Sequence, residues 1–423
     1  MDVPVAQPFV PVLLGGDIGT YSLAREFHEA YGAVSVVVPA GPNGVIDHSV
    51  AIQLAPSGSM TDENALINHL VDLGTRLTAQ GPRPLLLLGS LDLHVTFLAR
   101  HKARLEPLFT VPYPDEATVE AAALKQNFYR LCQELGLAHP TTVVVDPLLG
   151  PDQLPEQLPF PLIGKPADSS DWVNAQFQGK LKVHTLPDRA ALVALMEKLV
   201  DSGYTAPFIL QEMIPGGDEQ MRLCTFFSDR SGRVRFAGYG EVVVEEHSPK
   251  VLGNSAGIVT ATEPSVVEAG RRILTTLGWT GFSMVDAKLD PRDGQIKLFE
   301  VNPRLGRNHF YLTAAGANPV RMYVREWLGP QYDDSELSQT VAPLDAAGTQ
   351  VLGVEHLYTV LPHGLLKSLA RGPVGAKAVT LLRQRKVSNP LKYRAERHPR
   401  RLVYVVLSLV NHRRKFKAFP PRG

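Results

Sequence analysis

The chain has 423 residues, 44% of them hydrophobic, which is enough apolar surface for two or three packed domains. A formal net charge of +1 argues against a chain-wide nucleic-acid footprint, yet residues 391–423 carry ten Lys/Arg against Glu396 alone, giving +9 there and −8 elsewhere. Two distant cysteines, Cys132 and Cys224, exclude a disulfide framework and a CxxC zinc site and suit a reducing cytoplasm.

In chain order, MDVPVAQPF has an acid and a proline where a signal peptide would be basic. PFVPVLLGG then reads as a buried strand. DIGTYSLAREFHEAYG follows as a helix, with Asp17 or Thr20 at its N-cap and Gly32 past its end. VSVVVPA is the next strand, TDENALINHLVDLGTRLTAQG a helix capped at Thr61 or Asp62, and PLLLLGS a third strand. Strands alternating with helices predict a parallel, Rossmann-like α/β sheet over residues 1–117. Gly15, Gly16 and Gly19 depart from GxGxxG and read better as a tight strand-to-helix turn than as a nucleotide site.

YPDEATVEAAALKQNFYRLCQELGLAHP reads as one long helix ended by Gly136 and Pro140. Strand-like segments then crowd together (TTVVV, FPLIGKPA, FILQEMI, MRLCTFFS, VRFAGYGEVVVEE, FSMVDAKLD, QIKLFEVN) with few helices between them. This predicts an α+β domain over 118–330 whose small lid covers about 159–214. Residues 331–423 form a C-terminal extension that ends in the basic tail. The apolar run Leu402–Val410 is about half the length a bilayer span needs. It can form an interfacial helix with cationic ends on anionic lipid, or a C-terminal element packed on the body.

MVDAKLD and IKLFEVN flank PRDGQ, whose Asp-Gly marks a hairpin turn. Strand alternation about that turn places Asp286, Glu300 and Asn302 on one face. Two opposed carboxylates repel when bare, whereas with an amide oxygen beside them they suit Mg²⁺, the more so when phosphates complete its shell. Arg304 extends this face with a forked positive charge. A solvated salt network with Lys288 and Arg304 is the alternative reading. Lys165 ends the strand FPLIGKP ahead of the small-residue loop ADSSDW, which can lie over phosphates or be plain surface. In FILQEMIPGGDEQ, the backbone of Gln211, Glu212, Met213 and Ile214 can pair with an adenine edge and Glu212 or Asp218 with a ribose; otherwise it is a strand and turn.

Lys125, Lys165 in IGKPA, QEMIPGGDE, and Asp286 fourteen residues before EVNPR together resemble the ATP-grasp superfamily of carboxylate–amine and carboxylate–thiol ligases across about residues 10–330. The resemblance implies an N-terminal Rossmann-like domain, a small lid and a central ATP-grasp domain, with ATP clamped between lid and centre. It implies Lys125 and Lys165 on the ATP phosphates and the 211–214 strand on adenine. It further implies one or two Mg²⁺, or Mn²⁺ in their place, on Asp286, Glu300 and Asn302, with Arg304 at the transferred phosphoryl group. Arg222 and Lys250 are further candidates for phosphate or substrate. ADSSDW is poorer in glycine than in many relatives, which leaves its closure over the phosphates open.

EVNPRLGRNHFYLTAAGANP and SNPLKYRAERHPRRLVYVVLSLVNHRRKFKAF resemble the D-aspartate ligase branch, which joins the β-carboxylate of D-aspartate to a lysine amine of a peptidoglycan precursor. Arg307 and His309 are then candidates for gripping a substrate carboxylate. The expected protein is a cytoplasmic ligase, without nucleic acid, that meets ATP and an amino acid or peptide. Peripheral contact with the inner membrane face and a homodimer remain open. A catalytically silent ATP-binding regulatory subunit and a bicarbonate-using carboxylase or carbamoyl-phosphate-type enzyme are the competing readings.

Overall fold

Fully buried apolar strands seed the N-terminal sheet. In the computed structural model, which describes residues 7–421 apart from 152–153, 168–171, 173–174, 182 and 250, β1 (Val10–Leu14) is buried at every position. α1 (Ile18–Tyr31) follows it, then β2 (Ser35–Val38), β3 (Ile52–Leu54), α2 (Glu63–Thr78) and β4 (Leu85–Gly89). The order is β3-β2-β1-β4, and every pairing is parallel. Local chemistry sets the boundaries. Asp17 accepts from Thr20 N at 3.0 Å and caps α1, Gly32 ends it at φ 64°, and Asp62 caps α2 through Ala65 N. Gly15 has φ 115°, and a Cβ there would stand 2.5 Å from Ser90 Oγ, so the strand-to-helix turn requires glycine.

The chain forms two compact units. One comprises Met1–Glu120, Gly217–Asp286 and Val301–Gly423; the other comprises Ala121–Gly216 and Ala287–Glu300. The second contains α3 (Lys125–Glu134), β5 (Thr142–Val145), β6 (Leu162–Pro166), β7 (His184–Leu186), α4 (Arg189–Asp201) and β8 (Phe208–Glu212). Its sheet runs β5-β8-β6-β7, antiparallel throughout. Leu192, Leu195, Met196 and Leu199 of α4 pack with Leu162, Leu186, Phe208 and Leu210. Each such burial contributes about 1.5–3 kcal/mol. The single long helix expected near residue 115 is instead two, Glu116–Ala123 and α3, separated by Leu124 in extended conformation. No Gly or Pro lies there, so local propensity does not set the break. It makes Lys125 the first residue of α3.

The larger sheet holds β9 (Met221–Ser228), β10 (Val234–Glu245), β11 (Ser255–Ala261), β12 (Gly281–Leu289), β13 (Ile296–Asn302), β14 (Gln350–Val351), β15 (Leu357–Thr359) and β16 (Val387–Ser388). Its order is β13-β12-β9-β10-β11-β15-β16, with β14 on β10. α5 (Pro264–Leu277) buries Val266, Val267, Ile273 and Leu274. The turn between β12 and β13 closes through Asp290 N to Gln295 O, at the Asp-Gly expected to form it.

The chain ends in α6 (Pro399–Ala418). Its inner face buries Arg401, His412 and Phe416. The Arg401 guanidinium stacks 4.0 Å over Tyr21 and donates to Gly44 O. Among the described residues, no helix is long and apolar enough to cross a membrane.

Candidate functional site

The smaller unit concentrates charge around β6, β8 and α3. Strand β6 carries Lys165 beside β8, where Ile163 pairs with Gln211 and Lys165 with Ile209. Lys165 Nζ donates to Gln211 Oε1 at 3.0 Å, and Gln211 Nε2 donates to Thr142 Oγ1 at 3.0 Å. The ammonium also lies 6.0 Å from the Tyr129 ring, and the Tyr129 hydroxyl donates to Phe299 O. Burial lowers the Lys165 pKa to about 8; Glu300 opposes that shift and Lys125 adds to it. Lys125 Nζ in turn lies 3.1 Å from Glu300 Oε2. Two lysines thus share one carboxylate's surroundings, a positively biased cluster suited to phosphate oxygens.

The end of β8 presents a different pattern. Met213 N donates to Pro161 O, and Ile214 O accepts from Lys288 Nζ. Among the described residues, Met213 O and Ile214 N make no hydrogen bond, which leaves one acceptor and one donor side by side past the strand end. Glu212 is held by Thr141 N and by Arg292, within a network that also joins Lys297 to Asp290 at 2.7 Å.

The larger unit holds the remaining candidates. Asn302 Nδ2 donates to Asp286 Oδ2 at 2.8 Å, so these two side chains share a face, as strand alternation requires. Arg304 pairs with Asp92: Nη2 donates to Oδ2 at 3.1 Å, and Nε lies 2.9 Å from Oδ1. Arg307 Nε lies 3.3 Å from Asp17 Oδ2, and Gly19 lets α1 approach the Arg307 backbone, where a Cβ would stand at 3.3 Å. Asp218 accepts from Glu245 N at 2.8 Å and contacts His247 Nε2.

Two candidates are placed differently from what their sequence context suggests. His309 is 1% exposed, with Nε2 at 2.9 Å from Glu26 Oε2 and Nδ1 at 2.8 Å from Gly306 O. Both ring nitrogens are spent inside the protein, so His309 braces the loop against α1. Arg222 is 5% exposed, and its Nη1 donates to Glu219 O and Met221 O, so it closes the turn before β9. Asp168 to Asp171 of the ADSSDW loop, Lys250, and Arg422 of the tail lie outside the described residues.

Sequence reasoning missed the partners Tyr129, Thr142, Asp92, Asp17 and Glu26. Tyr129 follows Lys125 by four residues on one helix, a spacing that was open to reading. Asp17 was legible as a cap, but its second contact was not.

Chemically, Asp286, Glu300 and Asn302 are hard oxygen donors of the kind Mg²⁺ selects. Among the described residues, no group of three or more His, Cys, Asp or Glu is arranged to hold a metal.

No family model matches the chain. It is 30% identical over 323 residues to a D-aspartate ligase from Enterococcus faecium, covering 76% of this chain and 77% of that protein. The structure of an L-amino acid ligase from Bacillus licheniformis aligns with a TM-score of 0.55 at 16% identity, covering 78% of each chain. The biotin carboxylase domain of the Hydrogenobacter thermophilus 2-oxoglutarate carboxylase, solved as a dimer with MgADP, ADP and bicarbonate, aligns at 0.56 and 15% identity over 76% of this chain and 70% of that one.

Proposed function

Because this chain belongs to the ATP-grasp carboxylate–amine ligases and is a relative of D-aspartate ligase, we propose that it activates the β-carboxylate of D-aspartate, or a closely similar amino acid, and joins it to a lysine-type amine of a peptide or peptidoglycan precursor. The reaction class is ATP-dependent ligation: a carboxylate becomes an acyl phosphate, and an amine displaces the phosphate. The single observation that carries the assignment of residues is the pairing of Lys125 with Glu300 beside the desolvated Lys165.

Mg²⁺-ATP supplies the phosphoryl group and the charge neutralisation that makes it transferable. The chain's own groups do the rest. Lys125 and Lys165 bind phosphate oxygens, and Gln211 and Thr142 fix the Lys165 ammonium in place. The Met213 carbonyl and Ile214 amide read the adenine edge. Glu212 or Asp218 takes the ribose; a carboxylate accepts about four hydrogen bonds, so either can keep its protein partners. Asp286, Glu300 and Asn302 provide the metal's oxygen ligands. Arg304, oriented by Asp92, supports the transferred group, and Arg307 takes a substrate carboxylate. No protein nucleophile is required, and both cysteines are buried.

The outer face of α6 extends the proposal to peripheral contact with an anionic membrane surface from the cytoplasm. Leu402, Val403, Val406, Leu407 and Val410 recur at helical spacing and are 41–60% exposed. Exposed Arg400, Arg413, Arg414 and Lys417 bracket them. An apolar stripe between cations suits the headgroup boundary.

The experiment that tests the ligase reading is ADP release from Mg²⁺-ATP with D-aspartate and a lysine-containing muramyl pentapeptide, with Glu300→Gln as the control.

A further inference from the structure

The inner face of α6 closes a cavity of about 120 Å³ within the larger unit, in which Arg307 is the one residue given a role above. Its walls come from α1 (Ile18), the 306–308 loop, the start of β11 and α6 itself, with Tyr358 and Tyr404 as aromatic walls. Charge is distributed unevenly around it. Glu246 is 5% exposed and lies 3.3 Å from His412 Nδ1 and 3.4 Å from Lys415 Nζ, both contributed by α6. Burial pushes the Glu246 carboxyl up, but His412 and Lys415 hold it below its usual range, so the cavity keeps a fixed anion.

Arg307 also lines the cavity. Its Nε faces Asp17, while among the described residues neither terminal nitrogen makes a hydrogen bond. A guanidinium with both terminal N–H groups uncommitted is a fork for a carboxylate. Beside it, Asn308 Oδ1 is a buried acceptor with no partner, an arrangement that costs about 1–3 kcal/mol unless a ligand or water completes it. A carboxylate fork, an orphan acceptor and a buried anion around one small cavity match a molecule carrying both a carboxylate and an ammonium.

We propose that this cavity holds the head group of the amino acid to be ligated, with its α-carboxylate on the Arg307 fork and its ammonium on Asn308 Oδ1 and Glu246, and with α6 as the closing wall. The inference rests on the ligase reading and deepens it. The C-terminal helix thereby becomes part of the substrate site, and the choice of amino acid depends on how its residues hold Glu246. Glu246 and Asn308 contact the ligand; His412 and Lys415 act through Glu246 and are positioning residues.

The test is calorimetric titration of D-aspartate, L-aspartate and succinate into the full-length protein with Mg²⁺ and a non-hydrolysable ATP analogue. The expected result is that an aspartate binds, that succinate, which lacks the ammonium, binds at least tenfold more weakly, and that Asn308→Ala and Glu246→Gln each weaken aspartate about tenfold, the loss of one hydrogen bond to a charged group. The analogue's own affinity should be unchanged by Asn308→Ala, and the melting temperature of that variant without amino acid should be no lower than that of wild type. Equal aspartate binding by wild type and Asn308→Ala overturns the assignment, as does binding of succinate as tight as aspartate, or no aspartate binding at all. Failure of the ligase reading shows separately, as bound amino acid without ADP release when ATP replaces the analogue.

Discussion

Lys125 Nζ and Glu300 Oε2 lie 3.1 Å apart, joining the first residue of α3 to the acid of the EVNPR segment. If this pair serves phosphate and metal, removing either charge impairs the reaction while sparing the fold, since both side chains are partly exposed. Glu300→Gln should lower ADP release roughly 100-fold or more. Lys125→Met should raise the KM for ATP more than it lowers kcat. Unaltered melting curves for both variants are expected, and steady-state ADP release read beside those curves checks the pair.

Lys165 gives a pH signature. Burial brings its pKa down to about 8, so the free enzyme loses the ammonium as pH rises through that value. The kcat/KM for ATP should therefore fall above about pH 8, and Lys165→Arg, which cannot deprotonate there, should remove that alkaline limb. The same desolvation makes the charged lysine a stability cost at neutral pH. Between about 8 and the unfolded value near 10.5 the unfolded chain binds the extra proton, so stability rises with pH in that window. Lys165→Met should be inactive yet more stable at pH 7 by roughly 1–3 kcal/mol, readable by urea denaturation.

The buried His309–Glu26 pair behaves in the opposite sense. Burial pushes the imidazole down, but the Glu26 carboxylate and the Gly306 carbonyl outweigh it and hold the pKa above 6.5. The pair's contribution is complete below the unfolded value and is lost as pH rises through the folded one. Leaving Glu26 unpaired by His309→Ala should cost about 3–5 kcal/mol. Loss of stability without a change in the KM for the amino acid is expected, from denaturation and kinetics on the same preparations.

The outer face of α6 predicts salt-sensitive sedimentation with phosphatidylglycerol-containing liposomes. Val406→Glu/Leu407→Glu should abolish it and leave ADP release intact, since neither side chain lines the substrate cavity. Equal pelleting of the variant would remove the membrane proposal.

Much of this was legible in the sequence where chemistry is local. The caps Asp17, Asp62 and Gly32, the buried strand of Val10–Leu14 and the Asp-Gly turn follow from short-range rules and stand where those rules put them. Long-range partners were not legible. Nothing near Arg304 indicates Asp92, and nothing near His309 indicates that Glu26 would consume it. The break at Leu124 is equally invisible, because its neighbours all favour helix. The tail's +9 left an interfacial helix and an element packed on the body both open, and Arg401 and Lys415 turn inward onto Tyr21 and Glu246. An amphipathic helix with charges on both faces does not reveal from composition which of them the body will claim.

The most direct test of the central claim is a coupled ADP-release assay with Mg²⁺-ATP, in which single amino acids, bicarbonate and amine acceptors are offered alone and in pairs. ADP release that requires D-aspartate or a close analogue, rises with a lysine-type amine and disappears in Glu300→Gln is the predicted result. ATP binding without ADP release above the substrate-free rate for any carboxylate–amine pair would contradict it.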